Sequence, residues 1–283
     1  MKVKLYMPIL GIATAGLLFS CVKDEIYNTP HPDKGAVVFL LEGLNLDEGY
    51  VVEIDGHTAD MTATPFVYPD ILAPGTYSVV IYNRADGFTF EGRTAHHQSR
   101  SDEGRADASP LIPQPEHLRT GCVQITVLPD DSLRVSPDVE QRTRDLNFEL
   151  EITQGRPELI QSVTGTLTGV ARSFDIEQNV TTGDAASIQF PFTRQGDKLT
   201  ADVRLLGTMG AVQTLVLDIV FTDGGRTQRT EVDLTEALAD FDSDMTTAYC
   251  VTGTLETPVG MEEVSTEITG WETVEGGDAS AEM

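Results

Sequence analysis

The stretch LNFELEI, residues 146–152, alternates apolar and polar side chains without a break. Side chains on a β-strand point to opposite faces in turn, so a two-residue period buries one face and leaves the other in water. The same period recurs in residues 199–205 and 215–221. Three strands of this kind predict an antiparallel sheet with one solvated side.

Two further stretches are apolar at almost every position: AVVFLL, residues 36–41, and YSVVIY, residues 77–82. A continuous apolar run of strand length indicates a strand that is covered on both faces. Turn signals rich in glycine separate the runs, at residues 55–56, 74–75, 86–87 and 223–225. Short strands at such spacing are typical of a β-sandwich.

One segment, DLTEALADF at residues 233–241, breaks the two-residue period. Asp233 can cap a helix, and Glu236 stands three residues later, as in a capping box. Three apolar residues would then share one face: Leu234, Leu238 and Phe241. The sequence therefore predicts one short helix that covers an end of a sandwich.

Polar segments divide the strand-rich chain. Residues 93–119 are typical of an exposed loop, and PDDSLRVSP, residues 129–137, is typical of a linker. A length of 283 residues suits two domains, so we place a boundary near Ser136. The predicted organisation has five parts: a signal peptide at 1–20, a lipidated tether at 21–34, an N-terminal β-sandwich at 35–136, a C-terminal β-sandwich at 137–274 and a flexible tail at 275–283.

The chain is strongly acidic, with a formal net charge of −26. Residues 1–20 hold two lysines and no acidic residue, so their removal makes the charge more negative still. Such a charge argues against nucleic acid as a partner and against electrostatic adsorption to anionic head groups.

The first 20 residues are typical of a signal peptide, with Lys2 and Lys4 ahead of an apolar segment at 5–19. A helix of that segment would be about 22 Å long, which is too short to cross a hydrocarbon core of about 30 Å. The following LFSC, residues 18–21, resembles a lipobox, in which a peptidase cuts before the cysteine and the thiol receives a lipid. Cys21 is therefore the predicted lipidation site. The alternative is an ordinary secretory signal with an incidental cysteine.

A charged triplet follows the cysteine: Lys23, Asp24 and Glu25. It resembles the basic-then-acidic export signal of surface lipoproteins of the Bacteroidota, and the alternative is a solvated tether. Together with Cys21 it predicts a protein that is lipid-anchored in the outer membrane and faces the cell exterior.

Motifs for catalysis are absent from the sequence: it has no Gly-x-Ser-x-Gly, no His-Glu-x-x-His and no phosphate-binding glycine loop. We predict no enzyme activity and no cofactor. His96 and His97 stand in a polar stretch and are predicted to be solvated. Cys122 and Cys250 have no metal or redox spacing, and we favour two separate thiols over a disulfide.

The best metal candidate is DFDSD, in which Asp240, Asp242 and Asp244 alternate as at the start of an EF-hand loop. Met245 stands where that loop needs glycine, and Val251 stands where it needs glutamate. We therefore predict no metal site, and an acidic turn is the favoured interpretation.

The arrangement as a whole resembles the fimbrillin-like lipoproteins of the Bacteroidota, the group that contains FimB-type fimbrial anchor subunits. The segments that carry the resemblance are the lipobox cysteine and residues 27–30, 72–83, 169–171, 203–207, 213–215, 221–224, 233–235 and 268–272. The resemblance implies two transthyretin-like β-sandwich domains, a lipid anchor and pilins as partners, joined by strand exchange.

In the related polymerising subunits, an arginine-specific protease removes the lipidated first strand. This chain has no arginine between Cys21 and Asn83, and Arg84 lies beyond three candidate strands. The sequence therefore favours an anchor or accessory subunit that keeps its lipid. A surface glycan-binding lipoprotein is the alternative, although aromatic residues are only 7% and Trp271 is the single tryptophan. A secreted hydrolase is a third class, and it lacks a motif.

Overall fold

The computed structural model describes residues 33–99, 110–222, 225–257 and 268–274. The strands of these residues are, in chain order, β1 (Ala36–Phe39), β2 (Tyr50–Ile54), β3 (His57–Met61), β4 (Phe66–Val67), β5 (Gly75–Asn83), β6 (Phe88–Glu91), β7 (Thr94–His97), β8 (Leu111–Ile112), β9 (Arg119–Val127), β10 (Ser132–Val135), β11 (Glu140–Gln141), β12 (Arg144–Gln154), β13 (Ile160–Val170), β14 (Ser173–Asp175), β15 (Val180–Thr182), β16 (Ala186–Gln195), β17 (Lys198–Leu205), β18 (Thr214–Phe221), β19 (Thr227–Asp233), β20 (Tyr249–Glu256) and β21 (Ile268–Val274). Short 3-10 helices lie at Leu46–Glu48, Pro157–Leu159 and Phe241–Ser243. The fold class is all-β, which confirms the sequence prediction.

The first sheet pair consists of a three-stranded sheet, β10-β1-β4, and a five-stranded sheet, β11-β9-β5-β2-β3. Their facing sides enclose a core to which β1, β2, β5, β9 and β10 contribute. All four residues of β1 are buried, and so are the last five residues of β5. The two continuous apolar stretches are thus covered on both faces, as predicted.

The two sheets of the second pair share one long strand, β16. The first part of β16 belongs to the sheet β19-β18-β13-β16-β8, and its last three residues pair with β17 in the sheet β16-β17-β12-β20-β21. Strand β12 alternates as predicted, with Leu146, Phe148 and Leu150 buried and Glu149 and Glu151 exposed. The rings of Phe148, Phe190 and Phe192 pack together in this core.

A four-stranded antiparallel sheet, the junction sheet, joins the two pairs. Its order is β15-β14-β7-β6, so a hairpin from the first part of the chain pairs with a hairpin from the second. The junction core beneath it contains residues of both parts, including Tyr82, Phe88, Phe174 and Leu206. The boundary near Ser136 remains a prediction, since β10 before it and β11 after it both pair with strands of the first sheet pair.

Two details differ from the sequence prediction. The sheets are mainly antiparallel, but β1 pairs with β10, β12 with β20, and β8 with β16 in parallel. The predicted short helix is a run of turns with one helical bond, from the Leu238 amide to the Leu234 carbonyl, and it ends in the 3-10 helix Phe241–Ser243. The Asp233 carboxylate accepts from the amide and hydroxyl of Thr235, which closes a turn instead of capping a helix.

The apolar face of that segment is nevertheless placed as predicted. Leu234, Leu238 and Phe241 are buried in the core of the second sheet pair. Within the described residues, no helix has the length and apolar character that a membrane crossing requires.

Candidate functional site

The predicted site residues at the N-terminus, Cys21 with Lys23, Asp24 and Glu25, lie outside the described residues. The features below therefore belong to the body of the protein. They are a cleft at the junction, a smaller cleft beside it, and the free edges of the sheets.

The larger cleft, about 800 Å³, lies where β11 meets residues 43–48 and 242–246. Two ion pairs stand in its wall, Arg119 with Glu48 and Arg142 with Glu140. The Gln141 side-chain amide donates to the carbonyl oxygen of Met245 at 2.7 Å. The cleft is thus polar, and a cross-chain hydrogen bond ties its two walls together.

The acidic turn that resembles an EF-hand loop lines this cleft. The Asp242 carboxylate accepts from the hydroxyl of Thr208 at 3.0 Å, and burial raises the pKa of Asp242. The Asp244 carboxylate accepts from Thr246 and Thr247, which hold its pKa well below its usual range. Each carboxylate therefore stabilises the loops around it. Within the described residues, no three His, Cys, Asp or Glu side chains are placed to hold a metal ion.

Arg144 holds the same acidic turn, residues 240–244, in place. Its guanidinium donates to the carbonyl oxygens of Thr247 and Phe241 and lies over the ring of Tyr249, 4.8 Å from the centroid. Burial lowers the pKa of Arg144. A buried cation that meets carbonyl dipoles and an aromatic face is a structural clamp.

The smaller cleft, about 430 Å³, carries a network that crosses the junction. Arg93 donates to the Ser78 hydroxyl at 2.6 Å and pairs with Glu177 at 2.5 Å, and the Ser78 hydroxyl donates to the Glu177 carboxylate at 2.7 Å. The hydrogen bonds from Ser78 and Arg93 lower the pKa of Glu177. The exposed Cys122 lies beside it, with its sulfur 3.7 Å from the Ser78 hydroxyl oxygen.

Cys122 and Cys250 are both free thiols, as the sequence analysis favours. Cys250 is partly buried on β20, and burial together with Glu149 and Asp202 raises its pKa. The two cysteines lie on separate sheets and form no common site.

His97 corrects the prediction that both neighbouring histidines are solvated. His96 bonds to the Ser173 hydroxyl at 2.9 Å, whereas His97 is 4% exposed and neither of its ring nitrogens has a hydrogen-bond partner. The backbone of β7 explains the difference, because Ala95 and His97 point to the buried face of the junction sheet.

The free strand edges are the features of the described residues that suit a protein partner. The outermost strands of the sheets are β3 and β11, β4 and β10, β6 and β15, β19, β8 and β21. An edge strand presents main-chain donors and acceptors that can pair with an added strand. The edge at β8 is formed by a two-residue strand from the first part of the chain.

Several solved structures share this fold, among them the following three. A candidate adhesin from Bacteroides ovatus is 19% identical, with a TM-score of 0.56, and the match covers 79% of this chain and 90% of that one. The fimbrial anchor protein Mfa2 from Porphyromonas gingivalis is 8% identical, with a TM-score of 0.55 over 85% and 97% of the chains. A candidate polysaccharide-binding protein from Bacteroides thetaiotaomicron is 11% identical, with a TM-score of 0.51 over 86% and 98%. At these identities the similarity shows the fold alone.

Among curated proteins, no significant match is found. The family model of the fimbrillin-A associated anchor proteins Mfa1 and Mfa2, by contrast, matches residues 41–276, which is most of the chain and includes both clefts. This match confirms the resemblance that the sequence motifs indicate. The chain therefore belongs to the family of fimbrillin-A associated anchor proteins.

Proposed function

We propose that this protein is a lipid-anchored subunit at the cell surface that anchors fimbriae or serves as an accessory subunit in them, without catalytic activity. The observation that carries the proposal is the family match over residues 41–276. The fold supports it, since the fimbrial anchor protein Mfa2 shares it over most of both chains.

Anchoring through Cys21 is the first part of the proposal. The apolar segment before Cys21 is too short to span a membrane, and the residues around the cysteine resemble a lipobox. A lipid on Cys21 and the export signal at Lys23, Asp24 and Glu25 would together hold the protein in the outer membrane, facing outward. The absence of arginine before Arg84 supports a subunit that keeps this lipid.

Metabolic labelling with a clickable palmitate analogue tests the anchor. We expect the label on the wild-type protein and on the Cys122→Ser variant, and we expect none on Cys21→Ala. Cys122→Ser is the matched control because it removes an exposed thiol that the lipobox does not include. Label that persists on Cys21→Ala would show that the lipid is attached to another residue.

Binding to pilins by strand exchange is the second part. The free sheet edges offer main-chain hydrogen bonds, and an added strand would also bury apolar side chains, so both contributions favour pairing. Affinity purification of native surface complexes tests the partner. We expect a pilin to co-purify with the full-length protein. Retention of polysaccharide without any pilin would contradict the proposal and favour the glycan-binding alternative.

A further inference from the structure

Histidines of the first part of the chain are concentrated where it meets the second part. Of the four histidines in the described residues, three contact the second part: His96, His97 and His117. The His96 ring bonds to the Ser173 hydroxyl at 2.9 Å, and the His117 ring lies 3.9 Å from the Asp145 carboxylate. The His97 ring differs from both, because it is buried and neither of its nitrogens has a hydrogen-bond partner.

The hairpin of β6 and β7, residues 88–97, carries His97, and we call it the junction hairpin. Its strand β7 forms three residue pairs with β14, whereas β12 and β17 form eight. At one end of this short contact, the His97 amide donates to the carbonyl oxygen of Arg172 at 2.7 Å. At the other end, the Ile176 amide donates to the carbonyl oxygen of Arg93 at 2.9 Å. A contact this short can open while the long strands of the sheet pairs stay closed.

The His97 ring lies in an apolar space. It packs on the Phe88 ring, which belongs to the junction core, at a centroid distance of 4.5 Å. An imidazolium at this place would bring a charge and two N–H donors into surroundings that offer no acceptor. Burial accordingly lowers the pKa of His97 to about 4. The closed junction hairpin therefore excludes the charged ring.

The titratable groups around the junction hairpin do not compensate a charge on His97. The sheet face that meets the junction core carries Glu53 of β2, Tyr82 of β5 and Cys122 of β9, and Glu53 pairs with Arg93. On β6, β7 and β14 the groups alternate to the outer face: Glu91, His96 and Asp175. The adjoining segments add Asp86, Glu116, His117, Arg142, Arg172 and Glu177. None of these groups contributes to the pKa shift of His97.

We propose that the junction hairpin is an acid-sensitive latch: protonation of His97 releases β7 from β14, while both sheet pairs stay folded. The pKa of His97 is lower when the hairpin is closed than when the ring is in water. The closed state is therefore fully favoured above about pH 6.5 and loses this advantage as the pH falls towards 4. Opening would expose the ring of Phe174, which β7 helps to cover.

The ion pair at the turn of the hairpin is not the trigger. Arg93 pairs with Glu177, and hydrogen bonds from Ser78 and Arg93 hold the pKa of Glu177 below its usual value. This carboxylate thus stays ionised over most of the range in which His97 changes its charge. The latch rests on the burial of His97 and on the short β7–β14 contact, and it does not depend on the proposed fimbrial role.

Native-state hydrogen exchange on the full-length protein at pH 7 and pH 4 tests the latch. The reporters are the amides of His97 and Ile176, whose acceptors lie across the β7–β14 contact. After correction for intrinsic exchange rates, we expect their opening equilibrium to rise about 100-fold from pH 7 to pH 4, because the open state binds the proton more tightly. Amides in the middle of β12 should be at least about 10-fold better protected at both pH values. Equal protection of the reporters and β12 would mean that the hairpin opens only on global unfolding, and it would overturn the proposal.

Two variants test whether His97 is the group that responds. In His97→Leu we expect the opening equilibrium of the Ile176 amide to change less than about 3-fold over the same pH range. His96→Gln is the matched control, because it replaces the neighbouring histidine on the outer face and keeps a side chain that can bond to Ser173. It should keep the response of about 100-fold. A full response in His97→Leu, or its loss in His96→Gln, would overturn the assignment to His97.

Thiol labelling tests where the opening occurs, and it needs neither histidine variant. Ala95→Cys places a thiol on the buried face of β7, and Ala186→Cys places one in the core of the second sheet pair; both alanines are fully buried. The probe is 4,4′-dithiodipyridine, with rates divided by those of free cysteine at the same pH and the labelled site read by peptide mass spectrometry. At pH 4 we expect Ala95→Cys to react at least about 10-fold faster than Ala186→Cys. Equal rates, or a rate of Ala95→Cys that does not rise from pH 7 to pH 4, would contradict a local latch.

Discussion

At the scale of single residues, His97 is a polar, titratable side chain in an apolar, buried environment. It is buried beneath the junction sheet with its ring centroid 4.5 Å from that of Phe88, and both ring nitrogens lack a hydrogen-bond partner. Burial lowers the pKa of His97 to about 4. No charged group contributes to this shift, although His96, Glu91 and Asp175 lie on the same or paired strands.

The buried histidine predicts that acid weakens the protein. In the unfolded chain the His97 pKa is near 6.5, so the unfolded state takes up a proton first as the pH falls. We expect the free energy of unfolding to drop between pH 6.5 and 4 by about 3 kcal/mol from this residue, and no further below pH 4. Urea unfolding of wild type and His97→Leu at several pH values measures the difference.

The control for this experiment is His57→Leu, at an exposed position of β3. It should follow the wild-type pH dependence. Equal slopes for wild type and His97→Leu between pH 6.5 and 4 would show that His97 is not buried in its neutral form. The sequence could not reveal this residue, because its burial depends on pairing between β7 and β14, which are far apart in the chain.

At the scale of strands, the two-residue period predicted the buried and exposed faces of β12 and β17 correctly. It could not predict which strands pair, and residues 215–221 lie in the opposite sheet from residues 146–152. The segment at 233–241 shows the limit of local signals. Its apolar spacing fits a helix, but the hydrogen bonds from Thr235 to Asp233 favour a turn, and the buried face is the same in both cases.

Strand β13 contains a glycine whose position is fixed by packing. A Cβ atom on Gly165 would lie 2.8 Å from the Phe192 ring and 2.9 Å from the Phe190 ring. We expect Gly165→Ala to lower the free energy of unfolding by about 2 kcal/mol, because overpacking a core forces side chains off their preferred positions. Chemical denaturation measures the loss.

Gly75→Ala in β5 is the matched control for this substitution. The added Cβ would lie 3.6 Å from the Tyr77 ring, which is an ordinary contact. Alanine also has less conformational entropy than glycine in the unfolded chain, and this difference favours the folded protein. Gly75→Ala should therefore be neutral or slightly stabilising. A Gly165→Ala variant as stable as Gly75→Ala would mean that the rings of Phe190 and Phe192 move aside freely.

At the scale of the whole molecule, the all-β class follows from the sequence, but the joining of the two sheet pairs does not. The contacts that cross the junction include the junction sheet, the insertion of β8, and the network of Ser78, Arg93 and Glu177. Each joins residues far apart in sequence. The polar composition of residues 93–119 predicted an exposed loop, yet β7 and β8 within it pair with strands of the second part.

These contacts predict that the two parts of the chain depend on each other for stability. A fragment of residues 137–283 lacks β7 and β8, so it would expose the side chains of Phe174 and Ile188 that these strands help to cover. We expect the full chain to unfold in one calorimetric transition, and the fragment to melt at a lower temperature and bind a hydrophobic dye. Two separate transitions in the full chain, one matching the fragment, would contradict this expectation.

The position of β1 also decides how the protein carries load. This strand lies between the parallel β10 and the antiparallel β4, and all four of its residues are buried. Tension applied to the chain just before Gly35, as a membrane anchor on the N-terminal side would apply it, acts along the strand axis. The hydrogen bonds of β1 to β10 and to β4 are then loaded together in shear, and they do not break one after another. If Cys21 carries the proposed lipid, tension on the anchor would therefore load the first sheet pair in shear.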